Sequence, residues 1–122
     1  MILKHVTHKP PYHIGIFGVT YKENIPDTRN SLVFKFIKEC QNLPLKFIVH
    51  DPLAKPSKNF SCTKFEDIKQ LDVAIVFVGH AFYEQQGLET LLTKCLNPKI
   101  LMDIPGLFYK KKEFKNLIYW HL

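Results

Sequence analysis

The sequence predicts an α/β domain, a Rossmann-like three-layer architecture with a mainly parallel sheet. Short apolar segments alternate with stretches of helical periodicity, which is typical of strands and helices that follow one another along the chain. The segments at 13–19 and 73–78 are almost continuously apolar, as expected for strands covered on both faces. A chain of 122 residues with 46% hydrophobic content suits one domain with a full core.

The first half of the chain predicts a strand, a loop and a helix. Residues 1–11 end in Pro10-Pro11 and are interpreted as a linker or the remnant of a preceding domain, so that the domain itself covers 12–122. A strand at His13–Val19 leads into a polar loop at Thr20–Asn30. The helix that begins at Ser31 should place one apolar face inward, formed by Leu32, Val33, Phe36, Ile37, Cys40 and Leu43.

The second half supplies the remaining elements. The predicted segments are a strand at Leu45–His50, a short edge strand at Phe60–Thr63, a short helix at Phe65–Leu71, a strand at Val73–Val78, a helix at Phe82–Leu96 interrupted at Gly87, a strand at Lys99–Met102, a helical turn at Tyr109–Lys115 and a strand at Leu117–Trp120. We expect the dinucleotide-type strand order 3-2-1-4-5-6, which places the strand at 13–19 beside the strand at 73–78. The order reverses between these two strands, and ligands bind outside the carboxyl ends of the strands at such a point.

Polar residues leave the carboxyl ends of the three central strands. Lys22, Arg29, His80 and Asp103 are therefore expected to converge. Arg29 is the only arginine among 17 basic residues, and a guanidinium grips phosphate or carboxylate in two places, whereas lysine is a mobile point charge. The loop and the following helix start predict an anion site.

A purely structural interpretation competes with the anion site. Asp27, Asn30 and Ser31 are favoured helix caps, although capping requires neither lysine nor arginine. Asp51 could contact a ribose, but an Asp-Pro pair is more often only a turn. Gly15 and Gly18 do not form a GxGxxG pattern, so the loop gives poor support for the pyrophosphate of NAD.

Composition argues against several other classes of function. The net charge of +6 suggests nucleic acid, but the lysines are spread along the chain without interleaved aromatic residues, which favours a solvated surface. The three cysteines lie in no metal-ligand spacing and are interpreted as buried apolar residues, and the histidines show no ligand pattern, so no metal is expected. No apolar run approaches a membrane span and no signal peptide is recognised, so we expect a cytoplasmic protein.

The segments GVTYKENIPDTRNS, VHDPLA, VFVGHAFY and ILMDIPGLF resemble the carboxyl-terminal nucleotide-binding domain of UDP-glucose/GDP-mannose dehydrogenases, most of all the branch acting on UDP-N-acetylhexosamines. The resemblance covers residues 12–122. It implies that the complete enzyme oxidises a UDP-sugar to its uronic acid with NAD, for polysaccharide precursor synthesis. It also implies that the NAD domain and the catalytic cysteine lie outside this chain, which should be inactive alone.

The resemblance also implies roles for individual residues. Tyr21 and Lys22 match the aromatic-lysine pair whose lysine reaches the substrate, and Arg29 matches an arginine that approaches the NAD site across the cleft. His80 matches a histidine for which we expect a structural hydrogen bond.

One position departs from the family pattern. Pro105 stands where the family usually carries a basic residue that helps to hold UDP, and proline offers neither a charge nor an N–H. The sequence therefore leaves three interpretations: the UDP-sugar-binding part of a dehydrogenase, a degenerate non-catalytic module of the same fold, and, on charge alone, a nucleic-acid-binding domain.

Overall fold

Five parallel strands form one sheet in the order β2-β1-β3-β4-β5. A computed structural model of the chain describes residues 6, 9–26, 28, 31–54, 61–111 and 117–121. The strands are β1 (Tyr12–Phe17), β2 (Leu45–His50), β3 (Val73–Val76), β4 (Lys99–Asp103) and β5 (Leu117–His121). All four neighbouring pairs are parallel, and the longest ladder runs from Tyr12 opposite Leu45 to Phe17 opposite His50.

Helices cover both faces of the sheet. Helix α1 (Leu32–Glu39) packs on one face, where Val33, Phe36 and Ile37 meet the isoleucines of β1 and β3. Helices α2 (Ala81–Gln86) and α3 (Leu88–Leu92), with a 3-10 turn at Phe65–Asp67, cover the other face. The predicted α/β architecture is confirmed. Within the described residues, no helix is long and apolar enough to cross a membrane.

The predicted strand order of 3-2-1-4-5-6 is wrong, because its outermost strand does not form. Residues 61–63 of the expected edge strand are not in a strand, and residue 60 lies outside the described residues. Thr63 nevertheless donates its N–H to the carbonyl of Val49 in β2 at 2.7 Å. The segment therefore lies where an edge strand would lie, but this one bond to β2 does not make a ladder.

Two predicted helices are shorter than their periodicity suggested, and one contact joins the places where both were expected to end. Leu71 and Cys95 form a parallel bridge, in which the N–H of Leu71 bonds to the Lys94 carbonyl at 2.9 Å and the N–H of Leu96 bonds to the Leu71 carbonyl at 2.8 Å. Extended backbone at both positions prevents helices from reaching them. The helix expected at 65–71 is only the 3-10 turn, and the helix expected at 82–96 ends at Leu92 after the predicted interruption at Gly87.

Several predicted inward side chains are exposed. Leu32 is 75% exposed and Leu43 is 42% exposed, because Leu32 lies in the first turn of α1 and the helix ends at Glu39 before Leu43. Cys62 is exposed and Cys40 is half-buried, so the expectation of buried cysteines holds only for Cys95. Of the turn expected at 109–115, Tyr109–Lys111 is a 3-10 turn, and 112–116 lie outside the described residues.

Candidate functional site at the carboxyl edge of the sheet

The strand order still places the candidate site between β1 and β3. These strands are neighbours, as predicted, and the order reverses between them, since β2 lies beyond β1 whereas β4 and β5 lie beyond β3. The chain leaves β1 through Gly18, which has φ +95°, and a Cβ atom there would lie 2.8 Å from the Val78 carbonyl oxygen. Only glycine lets the two exits pass this closely.

A buried hydrogen-bond network joins the ends of β1, β2 and β3. Asp51 follows β2, and its Oδ2 accepts from the backbone N–H of Val19 at 2.7 Å and of Thr20 at 3.3 Å. The same oxygen lies 2.9 Å from Nε2 of His80, which follows β3, and both side chains are fully buried. Oδ1 of Asp51 accepts from Leu53 N–H at 2.7 Å and Ala54 N–H at 2.9 Å. One carboxylate therefore holds three loops.

The hydrogen bonds fix the tautomer of His80. Nδ1 accepts from the backbone N–H of Asn24 at 2.8 Å, so Nε2 carries the ring hydrogen and donates to Asp51. The Thr20 hydroxyl lies 3.0 Å from the same Nε2 and donates its own hydrogen to the Lys22 carbonyl at 2.9 Å. Burial opposes ionisation of Asp51, but the bonds from His80 and from backbone N–H groups outweigh it and lower the pKa of this carboxyl.

His50 lies directly before Asp51 in an aromatic environment. The ring centroids of Phe17, Phe65, Phe82 and Tyr83 lie between 5.2 and 6.2 Å from its own. Nδ1 of His50 lies 2.9 Å from the Tyr83 hydroxyl oxygen, and that hydroxyl donates to the His50 carbonyl at 3.1 Å. Burial lowers the pKa of His50 to about 4, so the ring is neutral at physiological pH.

The residues predicted to bind ligand extend from this network. We refer to residues 20–26 as the lysine loop. Tyr21 is 59% exposed and Lys22 is exposed, although the residue before them, Thr20, is buried. Arg29, the predicted second cation, lies outside the described residues, as do Asp27 and Asn30. Its convergence with Lys22 therefore stays a prediction.

A second aspartate holds the loop after β4. We refer to residues 104–108 as the proline loop. Oδ1 of Asp103 accepts from Leu107 N–H at 3.0 Å, while Oδ2 accepts from Phe108 N–H at 2.7 Å and from the Tyr119 hydroxyl at 2.6 Å. Pro105 is exposed at its tip, and its Cγ lies 3.4 Å from where a Cβ on Gly79 would stand. The proline loop therefore adjoins the exit of β3.

At the carboxyl edge, the described residues bring together the loops that follow β1, β3 and β4. They do not bring together the side chains of Lys22, His80 and Asp103, which were predicted to converge. His80 and Asp103 have no exposed surface, and each is engaged in the hydrogen bonds given above. Lys22 is the predicted cation that the described residues present to solvent. Sequence reasoning missed the contact of Asp51 with His80, although each follows the carboxyl end of a predicted strand, which is the pattern that could have revealed it.

A surface cavity of about 380 Å³ lies beside the proline loop. Its lining includes Glu84 on α2, and Tyr109 and Lys110 just after the loop. A second cavity, of about 430 Å³, lies at the opposite edge and is lined in part by His13 and Asp72, which are at the amino ends of β1 and β3. Of these two cavities, only the first lies at the carboxyl edge of the sheet.

The described residues do not fit the diphosphate of NAD. In a dinucleotide fingerprint, glycines after the first strand let the backbone approach the pyrophosphate. Here a Cβ on Gly15 would lie 2.4 Å from Cδ1 of Leu71, so this glycine makes room for core packing. Gly18 accommodates Val78 and leads into the lysine loop instead of a helix. Among the described residues, no group of three or more potential metal ligands occurs.

The amino-acid sequence of this chain is similar to those of known proteins. Residues 15–110 match the family model described as the UDP-glucose/GDP-mannose dehydrogenase family, UDP binding domain. The chain is 29% identical over 94 residues to the UDP-N-acetyl-D-glucosamine 6-dehydrogenase of Salmonella typhi, a match that covers 73% of this chain and 22% of that protein. It is 32% identical over 101 residues to Protein CapL of Staphylococcus aureus, covering 77% and 23%.

Solved structures share the fold. The UDP-D-ManNAc dehydrogenase from Pyrococcus horikoshii superposes with a TM-score of 0.75 at 21% identity, over 98% of this chain and 28% of that one. The UDP-N-acetyl-mannosamine dehydrogenase Cap5O from Staphylococcus aureus superposes with a TM-score of 0.73 at 20% identity, over 98% and 27%. The chain thus spans about a quarter of the length of the proteins it matches.

Proposed function

The chain belongs to the UDP-glucose/GDP-mannose dehydrogenase family and carries its UDP binding domain, and we propose that the lysine loop binds the UDP-sugar. Lys22 supplies the cation for a diphosphate or sugar oxygen, and Tyr21 supplies an exposed ring beside it. The observation that carries this assignment is an exposed lysine on a loop with a buried hydrogen-bond network, at the reversal point of the strand order. Charge-assisted hydrogen bonds to phosphate are among the stronger polar contacts.

The complete protein would then be an NAD-dependent dehydrogenase of a UDP-N-acetylhexosamine. We propose that NAD is held mainly outside these 122 residues, since Gly15 and Gly18 serve packing here. Arg29 remains the proposed contact from this chain to the NAD side of the cleft. NAD would accept a hydride from the sugar carbon, while this domain orients the nucleotide part of the substrate. Polysaccharide precursor synthesis in the cytoplasm is the setting that follows from this reaction.

Pro105 favours a second candidate function. It stands exposed at the tip of the proline loop, where a cation for UDP is usual in the family. A domain that lacks this contact could serve as a non-catalytic interaction module with the same fold. The two functions differ in one measurable property, which is affinity for UDP.

The test is a titration of the purified chain with UDP, in which binding is measured by NMR and by calorimetry. We expect saturable UDP binding that weakens about 10- to 100-fold in Lys22→Ala, because a charged hydrogen bond contributes about 1.5 to 3 kcal/mol. Lys46→Ala is the matched control, since Lys46 is an exposed lysine near the start of β2, at the opposite edge of the sheet.

The outcomes separate the candidates. Binding that falls in Lys22→Ala and not in Lys46→Ala supports the UDP-sugar function. An absence of UDP binding favours the non-catalytic module. Equal losses in both variants would mean that general positive charge attracts the nucleotide, and the assignment of Lys22 would be wrong.

A further inference from the structure

The backbone on each side of Lys22 is held by hydrogen bonds. Before it, the Thr20 hydroxyl donates to the Lys22 carbonyl at 2.9 Å. After it, Asn24 donates its N–H to Nδ1 of His80 at 2.8 Å, and its Oδ1 accepts from Ala81 N–H at 2.9 Å. The exposed lysine therefore lies in a short segment that is attached twice to the exit of β3.

His80, which holds this segment after Lys22, is itself buried and fixed by other bonds. His80 has no exposed surface, and Asp51 holds its Nε2–H while also accepting from the backbone N–H groups of Val19 and Thr20, at the start of the lysine loop. Asn24 has φ +63°, a left-handed conformation that asparagine tolerates better than most residues. The chain of contacts runs from a buried carboxylate, through one imidazole, to the backbone of an exposed residue two positions from Lys22.

We propose that Asp51, His80 and Asn24 are positioning residues for Lys22, which hold its loop in the conformation that binds the UDP-sugar. This inference rests on the proposed function of Lys22. Its physical basis is that apparent affinity falls in proportion to the fraction of molecules in the binding-competent conformation. A loop released from His80 samples other conformations, so the lysine reaches the ligand in fewer molecules.

A role in folding alone would make a different prediction. In that case, loss of these bonds would lower stability and would weaken every binding contact alike. A positioning role requires that the effect depends on Lys22, which a double-mutant cycle measures directly.

Asn24→Gly is the central test, because Asn24 is exposed and glycine accepts the same positive φ. The variant removes the bond to Ala81 and loosens the segment without opening the core. We expect the Kd for UDP, measured by NMR titration, to rise about tenfold in the otherwise unchanged chain and less than twofold when Lys22→Ala is already present.

A pair of near-isosteric variants tests His80. His80→Asn keeps an acceptor close to the place of Nδ1, whereas His80→Leu removes it. We expect His80→Asn to retain more UDP affinity than His80→Leu, with both compared at a temperature where each is fully folded by circular dichroism.

The results distinguish this inference from the function on which it rests. If Lys22→Ala weakens binding but Asn24→Gly does not, or if Asn24→Gly weakens it equally with and without Lys22, the positioning role is wrong and the proposed function stands. If Lys22→Ala has no effect, or if UDP does not bind, both are overturned.

Discussion

The lysine loop and the proline loop are both held by a buried aspartate, but they differ in the residue that they expose to solvent. Each is held by an aspartate that follows a parallel strand, is buried, and accepts hydrogen bonds from backbone N–H groups in the loop or directly before it. Asp51 joins the ends of three strands, whereas Asp103 holds its own loop and the side chain of Tyr119 on β5. The first loop presents Lys22, and the second presents Pro105. The same kind of aspartate-held loop therefore carries an exposed lysine at one place on the edge and an exposed proline at another.

The largest expected difference between the loops is in stability. Each carboxylate oxygen of Asp51 accepts at least two hydrogen bonds. In Asp51→Asn, the amide nitrogen must replace one of these oxygens, so in either orientation a donor faces at least two N–H donors. In Asp103→Asn, the amide nitrogen can replace Oδ1, which among the described residues accepts from Leu107 alone. We expect the free energy of unfolding to fall by about 3 kcal/mol in Asp51→Asn and by about 1 to 2 kcal/mol in Asp103→Asn.

Urea unfolding of the two variants beside the unchanged chain measures this difference. Equal losses would mean that the number of loops held by a carboxylate does not determine its contribution.

Lowering the pH should decrease the stability of the chain through His50, which lies beside Asp51. Burial lowers the pKa of His50 to about 4 in the folded chain, so at pH 5 the unfolded chain binds a proton there that the folded chain does not. The free energy of unfolding should therefore fall as the pH is lowered from about 6.5 to about 4, by about 2 to 3 kcal/mol. Urea unfolding at pH 7, 5.5 and 4.5 checks this.

Two histidine variants locate the effect. His50→Gln should flatten the pH dependence, whereas His121→Gln, at the end of β5 on the Asp103 side, should leave it in place. A slope that survives in His50→Gln would assign the acid sensitivity to another group.

The smallest expected effect is a gain of affinity on the proline loop. Pro105 is exposed, and the loop is held through Asp103, so Pro105→Arg should place a guanidinium at the edge without disturbing the fold. We expect UDP to bind about 5- to 20-fold more tightly, corresponding to about 1 to 2 kcal/mol from a charged hydrogen bond. Calorimetry with UDP measures it, and Pro105→Gln is the uncharged control.

A gain of equal size in Pro105→Gln would mean that release from proline, and not the charge, improves binding. No gain in either variant would place the ligand away from this loop.

Periodicity predicted the five strands because short apolar runs are a strong local signal, whether the strand is fully buried, as β3 is, or half-buried, as β5 is. Residues 61–63 show where this signal fails, since Thr63 bonds once to Val49 of β2 and none of the three residues is in a strand. The ends of two helices were also missed. The Leu71–Cys95 bridge joins residues distant in sequence, and such contacts override helical propensity.

The sequence could predict where the candidate site lies in the sheet, but not which side chains contact one another there. The reversal point between β1 and β3 was predicted, and so were Tyr21 and Lys22 as residues of the loop that follows β1. The contact between Asp51 and His80 spans 29 positions and is made across the end of β1, because the sheet places β2 and β3 on either side of that strand. From the sequence, Asp51 suggested only a turn and His80 only one structural hydrogen bond. A side chain's type does not indicate how many loops it will contact in the folded chain.

The hydrogen bonds of Asp103 also bear on how such a domain could change during evolution. The loop after β4 keeps its shape through the main-chain N–H groups of Leu107 and Phe108 and through Tyr119, and none of these depends on which side chain occupies position 105. A single codon could therefore exchange a neutral residue for a basic one there, or the reverse, while the protein continues to fold. Substitutions at position 105 could therefore accumulate without compensating changes elsewhere in the loop.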